Sequence, residues 1–272
     1  MILRGRLSIY GEYLMPLGTR GLMVPSPFLM ATNEHDHIPL HPQYSHDRDS
    51  VARALQQKRI ATRDHFRGDL PLGCGYAGST VLALLHLQDN TGGDELQDLV
   101  HQCDQAIHGF TPSGVDVTSC IRQTPGFYWN REWETADLRT LQFSLLHFPK
   151  EGLRTLPEIQ ARMLDRPEPL SAIAATLTGG LIETGTLEYE PLLEYARLLL
   201  RRGVYSKPAE SFIAHLTSEG FVAKGIGGLY DKAVLVVWPD GDAESLRLRE
   251  IIAASAPAVA FDGSWPYESH RA

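Results

Sequence analysis

The sequence predicts a mixed α+β fold in two lobes, residues 1–149 and residues 150–272. Alternating apolar residues at the amino terminus are typical of paired strands, and a glycine-rich loop leads into an apolar helix. Amphipathic helices dominate the sequence after Pro149. A chain of 272 residues can form one large domain or two modest ones, and this change of pattern favours two.

The charge of the chain argues against nucleic acid as a partner. The sequence has 25 Lys and Arg residues and 33 Asp and Glu residues, a formal net charge of -8, and no basic stripe opposes this average. Such a charge repels a phosphate backbone. We expect a small-molecule substrate, no nucleic acid and no membrane, and a second copy of the chain is a candidate partner in a homodimer.

Cysteine use and hydropathy predict a cytoplasmic protein. The three cysteines show no metal or redox spacing, and an odd, small number suits a reducing compartment. The amino terminus alternates instead of forming an unbroken apolar run, and Leu198–Leu200 is followed at once by two arginines. We therefore expect neither a signal peptide nor a membrane span.

The first elements are predicted to be two strands joined by a turn. Leu7, Ile9 and Tyr13 are separated by even numbers of residues and would share one face of a strand, so they indicate the first strand. Leu22–Val24 indicates the second. The turn is expected around Pro16–Gly18, so the chain opens with a hairpin.

Residues 33–49 are polar and rich in histidine, and we predict irregular structure there. Imidazoles at a spacing of two on a strand share a face, so a metal site is one interpretation and a mobile polar loop is the other. The short apolar runs at Val51–Leu55 and Arg59–Ala61 predict no element.

The rest of the amino-terminal lobe is predicted to contain two helices and two strands. Val81–Leu87 has the composition of a buried helix, and apolar residues recur at helical spacing in Asp94–His108. Phe127–Trp129 and Leu141–Leu146 have strand patterns, and Pro149 follows the second.

The carboxy-terminal lobe is predicted to be mainly helical. Apolar faces and proline or glycine boundaries indicate its elements. The helices are Pro191–Arg202, Pro208–Glu219 and Asp242–Ala254, and the strands are Val234–Trp238 and Ala258–Phe261.

The glycine-rich loop at residues 71–80 carries the main functional signal. Glycines before a helix let backbone N–H groups approach phosphate oxygens, and the helix dipole favours the negative charge. Gly73–Gly78 matches the dinucleotide fingerprint in letters, but no hydrophobic strand precedes it. No Gly-Lys-Ser/Thr follows, which excludes a Walker loop. A phosphate site, a dinucleotide site and a packed glycine turn without ligand are the three interpretations.

Four motifs lie along the chain, at Gly5–Tyr13, Pro71–Thr80, Ile107–Asp116 and Ala223–Gly228. In this order they resemble the motifs of the GHMP family of small-molecule kinases, which includes galactokinase, homoserine kinase, mevalonate kinase and phosphomevalonate kinase. The third is the most specific, because it resembles the mevalonate-kinase stretch His-Gly-x-Pro-Ser-Gly-x-Asp. The resemblance implies an amino-terminal, ribosomal-protein-S5-like α/β lobe that binds ATP and a carboxy-terminal ferredoxin-like lobe.

The resemblance also implies transfer of the γ-phosphoryl group of ATP to a small-molecule alcohol. Asp116 matches the aspartate that takes or orients the proton of the acceptor hydroxyl. Arg6 matches a lysine that contacts the reacting groups, and a guanidinium stabilises spread negative charge. Acceptor binding is implied for Glu12, His108, Ser113 and Gly114.

The expected cofactors are ATP and Mg²⁺. The resemblance assigns ATP binding to Pro71, Gly73, Cys74, Gly75, Tyr76, Ala77, Gly78, Ser79 and Thr80. Ser79 and Asp104 match the hydroxyl and the carboxylate that hold magnesium. Because aspartate is one methylene shorter than the family's glutamate, contact through water is expected.

Several positions depart from the family pattern. Ala77-Gly78 replaces Gly-Ser, Phe110-Thr111 adds a residue before a proline, Arg6 replaces lysine, and Leu229-Tyr230 interrupts the fourth motif. A degenerate nucleotide-binding protein without turnover is therefore an alternative hypothesis.

The sequence leaves two acceptors open. His108-Gly109 is typical of mevalonate kinase, whereas Gly11–Tyr13 and Asp116-Val117 also resemble phosphomevalonate kinase, whose acceptor is a phosphate. A phosphorylated acceptor calls for further basic residues. The arginines available are Arg20, Arg63, Arg67 and Arg122.

Overall fold

The computed structural model describes residues 2–32, 45–57, 66–71, 76–87, 93–108, 113–148, 156–227, 233–238, 242–255 and 258–267. The strands in these segments are β1 Ile2–Tyr10, β2 Gly21–Thr32, β3 Phe66–Gly68, β4 Gly126–Trp129, β5 Glu132–Thr135, β6 Leu141–His147, β7 Val222–Ile226, β8 Ala233–Val237 and β9 Ala258–Trp265. The helices are α1 Ser45–Gln57, α2 Gly78–Leu87, α3 Gly93–His108, α4 Val115–Arg122, α5 Leu156–Leu164, α6 Glu168–Thr184, α7 Tyr189–Arg201, α8 Lys207–Ser218 and α9 Asp242–Ser255.

The described strands form two sheets. The first has the order β1-β2-β4-β5, and β3 adds to β2 in antiparallel register. The second has the order β7-β8-β6-β9, and all its neighbouring pairs are antiparallel. Helices follow or precede the strands of both sheets in sequence, as in α+β proteins.

The chain divides into two compact units, and the first comprises Met1–Leu7 and Met23–Thr124. Its centre is α2, in which every residue from Thr80 to Leu87 is buried. The helices α1, α3 and α4 pack against α2. Burial on every side explains why this helix is apolar all round instead of amphipathic.

The second unit comprises Ser8–Leu22 and Pro125–Ala272. β8 lies inside the second sheet, and all of its residues are buried. The helix α7 packs against α6, α8 and β7, so it buries one apolar face. That face consists of Leu192, Leu193, Tyr195, Ala196 and Leu199.

The predicted opening strands are present, since β1 and β2 are hydrogen-bonded neighbours. The turn between them contains a short 3-10 helix, Met15–Leu17. We predicted Tyr13 on the first strand, which is wrong, because Tyr13 lies beyond β1 with a φ of 62°. The strand ends before Gly11, which has a φ of 89° and lies so close to Gly21 that a Cβ would come 2.4 Å from its Cα.

The helices predicted from apolar spacing are α2, α3, α7, α8 and α9, with small changes at their ends. The predicted strands are confirmed as β4, β6, β8 and β9, and β9 extends beyond its predicted end to Trp265. The predicted lobe boundary at residues 149 and 150 lies outside the described residues and stays a prediction.

The prediction of irregular structure up to residue 49 is wrong at its end, because α1 begins at Ser45 and continues to Gln57. The three buried residues Val51, Ala54 and Leu55 have helical spacing and form a narrow apolar stripe. The helix packs against α2 and α3, so tertiary contacts stabilise it. Its polar composition is the reason that the sequence did not predict it.

The sequence did not predict β3, β5, β7, α4, α5 or α6. The strand β7 contains the first part of the fourth motif, and all its residues from Val222 to Ile226 are buried. Pairing with β8 outweighs the loop preference of its glycine. The helix α4 places Asp116 in a first helical turn.

Candidate active site

An ion pair joins Arg6 and Asp116, the two residues that the sequence predicts to be catalytic. The Arg6 Nε atom donates to Asp116 Oδ1 within the first unit. The Arg6 Nη1 atom also lies 3.8 Å from the sulfur of Met23. The Arg6 side chain is 11% exposed and the Asp116 side chain 36%. The carboxylate is therefore the part of the pair that a ligand can reach.

The local sequence explains how Asp116 reaches this position. Gly114 precedes α4 with a φ of 89°, a left-handed conformation that favours glycine. The Ser113 hydroxyl lies 3.4 Å from the Val115 N–H, and the Ser119 hydroxyl donates to the Val115 carbonyl over 2.7 Å. A carboxylate in the first turn is stabilised by the positive end of the helix dipole.

The strand that carries Arg6 also holds the end of the glycine-rich loop. The Arg6 backbone N–H donates to the Tyr76 carbonyl over 3.1 Å. A Cβ at Gly5 would lie 2.3 Å from the same carbonyl oxygen. Only glycine therefore permits this close approach between β1 and the segment that leads into α2.

The helix α2 begins where a phosphate-binding helix is predicted to begin. Its first turn contains no acidic residue, and Ser79 and Thr80 place two hydroxyl groups there. Ala77 precedes it with a φ of 57°, and its carbonyl accepts the Val81 N–H over 3.0 Å. Thr80 is only 1% exposed, whereas Ser79 is half-buried. The amino-terminal end of a helix attracts anions, and phosphate binding here stays a prediction.

Some predicted ATP-binding and metal-binding positions cannot be placed. The predicted residues Gly73, Cys74 and Gly75 lie outside the described segments, whereas Pro71 is described and half-buried. Asp104 lies on α3, but its side chain is not described, so its pairing with Ser79 at a metal stays a prediction. Among the described residues, no group of three or more His, Cys, Asp and Glu side chains is arranged to hold a metal ion.

The predicted acceptor-binding residues have different environments. His108 is the last residue of α3, and its side chain is not described. Ser113 is exposed and Gly114 is buried at the start of α4. Glu12 is only 6% exposed. Arg20 is one of the arginines considered for a phosphorylated acceptor. Its Nη2 atom lies 3.1 Å from Glu134 Oε2, and its Cζ atom lies 4.3 Å from the centroid of the Trp129 ring.

Sequence reasoning missed Lys224 as a charged partner within the second unit. Lys224 lies in β7, and its side chain is 1% exposed. Its ammonium donates to Glu12 Oε1 and to the Ser8 carbonyl, the latter over 2.8 Å. The motif Ala223–Gly228 contains this lysine, but the resemblance drew attention to its glycines. A lysine within an apolar strand sequence was the available signal, because lysine is rarely buried unless it is paired.

Two further expectations concern thiols and membranes. Cys103 and Cys120 are both buried. In the part of the chain that the structure describes, no helix has both the length and the apolar character needed to cross a membrane.

Comparison by sequence with protein-family models and with curated proteins found no match. Comparison with solved structures found several. Methanococcus jannaschii mevalonate kinase matches with a TM-score of 0.68 and 12% identity, over 95% of this chain and 96% of that one. L. major mevalonate kinase in complex with R-mevalonate matches with a TM-score of 0.71 and 13% identity, over 97% and 94%.

A third match is Streptococcus pneumoniae phosphomevalonate kinase in complex with phosphomevalonate and AMPPNP. Its TM-score is 0.63 and its identity 13%, over 97% of this chain and 99% of that one. The matches extend over almost the whole length of each partner, so the likeness concerns the complete fold. The chain therefore has the fold of the GHMP small-molecule kinases, as the four sequence motifs predicted.

Proposed function

We propose that the chain is a kinase that transfers the γ-phosphoryl group of ATP to a small-molecule alcohol, in the manner of mevalonate kinase. The observation that carries this proposal is the ion pair between Arg6 and Asp116. Arg6 belongs to β1, and its backbone N–H donates to the carbonyl of Tyr76, two residues before α2 begins. The likeness of fold supports the proposal, although a fold alone does not establish an activity.

Asp116 is the group that accepts or orients the proton of the acceptor hydroxyl. Arg6 binds its Oδ1 atom, and the partial exposure of the carboxylate allows Oδ2 to face an acceptor. A general base must lie within about 3 Å of the oxygen whose proton it takes. Because its guanidinium stays protonated, Arg6 keeps Asp116 paired and supplies positive charge beside the reacting groups.

The start of α2 is the proposed phosphate site. Backbone N–H groups of its first turn and the hydroxyls of Ser79 and Thr80 are donors of the type that hold phosphate oxygens. A hydroxyl and a carboxylate suit Mg²⁺, so Ser79 and Asp104 are the residues proposed to hold it. When bound, the ion neutralises charge on the phosphates.

The cytoplasm is the proposed location of the protein.

Two alternatives compete with this proposal. Phosphomevalonate is a competing acceptor, since the phosphomevalonate kinase matches over as much of the chain as the mevalonate kinases do. A nucleotide-binding protein without turnover is the other. It is favoured by Ala77, which has a φ of 57° where the family usually has glycine.

The first test separates binding from turnover. We expect MgATP to raise the melting temperature of the purified chain and NAD to leave it unchanged. A ligand at about 100 times its Kd adds about 2.7 kcal/mol to the free energy of unfolding. Stabilisation by MgATP without turnover would support the non-catalytic alternative.

The second test measures ADP release with mevalonate, phosphomevalonate, homoserine and sugars as acceptors. We expect turnover with mevalonate and its loss in Asp116→Asn. Asp137→Asn is the matched control, because Asp137 is an exposed aspartate of the second unit. Absence of turnover with every acceptor would contradict the kinase proposal, and a preference for phosphomevalonate would change the acceptor.

A further inference from the structure

The edge of β1 that faces away from β2 is bound by a side chain of the first unit. The Arg4 N–H donates to Gln123 Oε1 over 2.8 Å, and Gln123 Nε2 donates to the Arg4 carbonyl over 3.0 Å. An antiparallel neighbour in a sheet makes the same two hydrogen bonds to one residue. The Gln123 amide therefore takes the place of a neighbouring strand at Arg4.

Gln123 is also the residue at which α4 ends. Its φ of 54° and ψ of 22° are left-handed, and its N–H donates to the Ser119 carbonyl over 3.1 Å. Helices commonly end with such a residue. The Gln123 Nε2 atom donates in addition to the Cys120 carbonyl over 2.6 Å. Because the amide binds both its own helix and β1, its direction is fixed.

The same helix carries Asp116 in its first turn, where the Arg6 guanidinium donates to the carboxylate. Arg4 and Arg6 are about 7 Å apart along β1. Asp116 and Gln123 are about 10 Å apart along the axis of α4. Hydrogen bonds thus join α4 to β1 at both of its ends.

These hydrogen bonds differ in kind from the other contacts of α4. The helix packs against α2 and α3, and its buried residues include Val115, Val117 and Cys120. Apolar packing is non-directional, whereas a hydrogen bond requires a particular distance and angle. The bonds at Arg4 and Arg6 therefore define how α4 is placed along β1.

We infer that Gln123 is a positioning residue: by binding the end of α4 to β1, it holds the Asp116 carboxylate where it acts on the acceptor hydroxyl. This inference rests on the proposed kinase function. A misplacement of about 1 Å, caused by a change far from the reacting groups, can cost about 100-fold in rate. A side chain that only covered the edge of β1 would affect stability and leave kcat unchanged.

Gln123→Gly tests the side chain without disturbing the backbone. Glycine adopts a left-handed conformation without steric cost, which offsets the lost hydrogen bonds, so we expect a melting temperature within about 5 °C of the wild type. The kcat with the preferred acceptor should fall at least about tenfold, and the KM for ATP should stay unchanged. Asn130→Gly is the matched control and should keep full kcat, because Asn130 is exposed and has a left-handed φ of 43°.

A conservative variant tests the reach of the amide. Gln123→Asn keeps the amide group and suits a left-handed backbone, but its side chain is one methylene shorter. The amide then does not reach the backbone of Arg4, so we expect kcat to fall about as far as in Gln123→Gly.

Combining Gln123→Gly with Arg6→Lys tests whether both contacts act on the same helix. Losses in kcat from independent sites multiply, whereas losses within one network do not. Because each change displaces the same carboxylate, we expect the double variant to lose at least about threefold less than the product of the two single losses. A loss equal to that product would show that Gln123 acts independently of the Arg6–Asp116 pair and would overturn the inference.

The outcomes separate this inference from the function on which it rests. If the wild-type chain turns over none of the acceptors, the proposed function fails and the inference fails with it. If the wild type is active and either Gln123→Gly or Gln123→Asn keeps its full kcat, the inference alone is overturned. The same holds if these variants lose activity only in proportion to their folded fraction, measured by urea unfolding.

Discussion

The Arg6 guanidinium donates to the Asp116 carboxylate across a sequence separation of 110 residues. The contact joins β1 to the first turn of α4 within one compact unit. A guanidinium offers several donors in a rigid plane, an arrangement that matches the geometry of a carboxylate. A lysine in its place would supply a single point charge.

Replacing Arg6 tests this geometry. We expect Arg6→Lys to lower kcat about tenfold, because the charge is kept but the planar arrangement of donors is lost. Arg6→Met should lower kcat by about 100-fold or more, the usual loss when a charge-stabilising group is removed. The measurement is ADP release with the preferred acceptor.

Arg197→Met is the control for Arg6, because Arg197 is 41% exposed on α7 and its contact with Glu194 is 3.9 Å long. Its kcat should equal that of the wild type. Full activity in Arg6→Met would show that the ion pair has no part in the reaction.

Gly5 is predicted to be intolerant of even the smallest side chain. In Gly5→Ala the new Cβ would lie 2.3 Å from the Tyr76 carbonyl oxygen and 2.7 Å from Leu70 Cδ1. Because backbone must move to relieve this contact, we expect a loss of about 1–3 kcal/mol in the free energy of unfolding, measured in urea. The stabilisation by MgATP should also decrease, since Tyr76 leads into α2.

Gly179→Ala is the matched control for Gly5→Ala. Gly179 lies inside α6, and a Cβ added there would meet no atom within 4 Å. This substitution should stabilise the chain by about 0.5–1 kcal/mol, because alanine has the higher helix propensity. Equal effects at both positions would contradict the close packing of β1 on the glycine-rich loop.

Periodicity was enough to predict some of the elements that bury one face or all faces, although not α6, whose buried face includes Leu170, Leu177 and Leu181. The strand β8 and the helices α2 and α7 have sequences in which burial follows directly from the apolar residues. The helix α1 could not be predicted in this way, because its stripe is limited to Val51, Ala54 and Leu55. Its stability comes from neighbours that are distant in sequence.

The candidate site likewise contains residues that the sequence identifies and contacts that it does not predict. The motifs identified Arg6 and Asp116 separately, but a single sequence does not show that they contact each other. Lys224 became visible only through Glu12, which is 212 residues away along the chain. A long-range ion pair depends on tertiary structure, so local patterns do not predict it.

Ala77 is the position at which a family glycine is replaced and the backbone keeps a left-handed conformation, with a φ of 57°. Such a conformation costs a residue with a Cβ about 1–2 kcal/mol. We expect Ala77→Gly to relieve this strain, to raise the free energy of unfolding by up to about 1 kcal/mol and to strengthen MgATP binding. Urea unfolding and calorimetric titration are the measurements.

Ala175→Gly is the matched control for Ala77→Gly. Ala175 is exposed inside α6, so glycine there should destabilise the chain by about 1 kcal/mol and leave MgATP binding unchanged. A loss of stability in Ala77→Gly as large as in the control would mean that the left-handed backbone at residue 77 is not strained.

The last prediction concerns His147, at the end of β6. Its cross-strand partners are Ala233 and Ala258, and burial lowers the pKa of His147 below its usual value of 6.5. The unfolded chain therefore binds a proton at a pH where the folded chain does not. The stabilising contribution is present above about pH 6.5 and is lost as the pH falls toward the pKa of the folded state.

We expect the free energy of unfolding of the wild type to fall more steeply between about pH 7 and pH 5 than that of His147→Gln, measured by urea unfolding at each pH. Glutamine cannot take up a proton in this range, so its variant lacks this contribution. His215→Gln, at an exposed position of α8, is the control and should follow the wild type. Parallel pH profiles for the wild type and His147→Gln would show that the partial burial of His147 does not hinder its protonation.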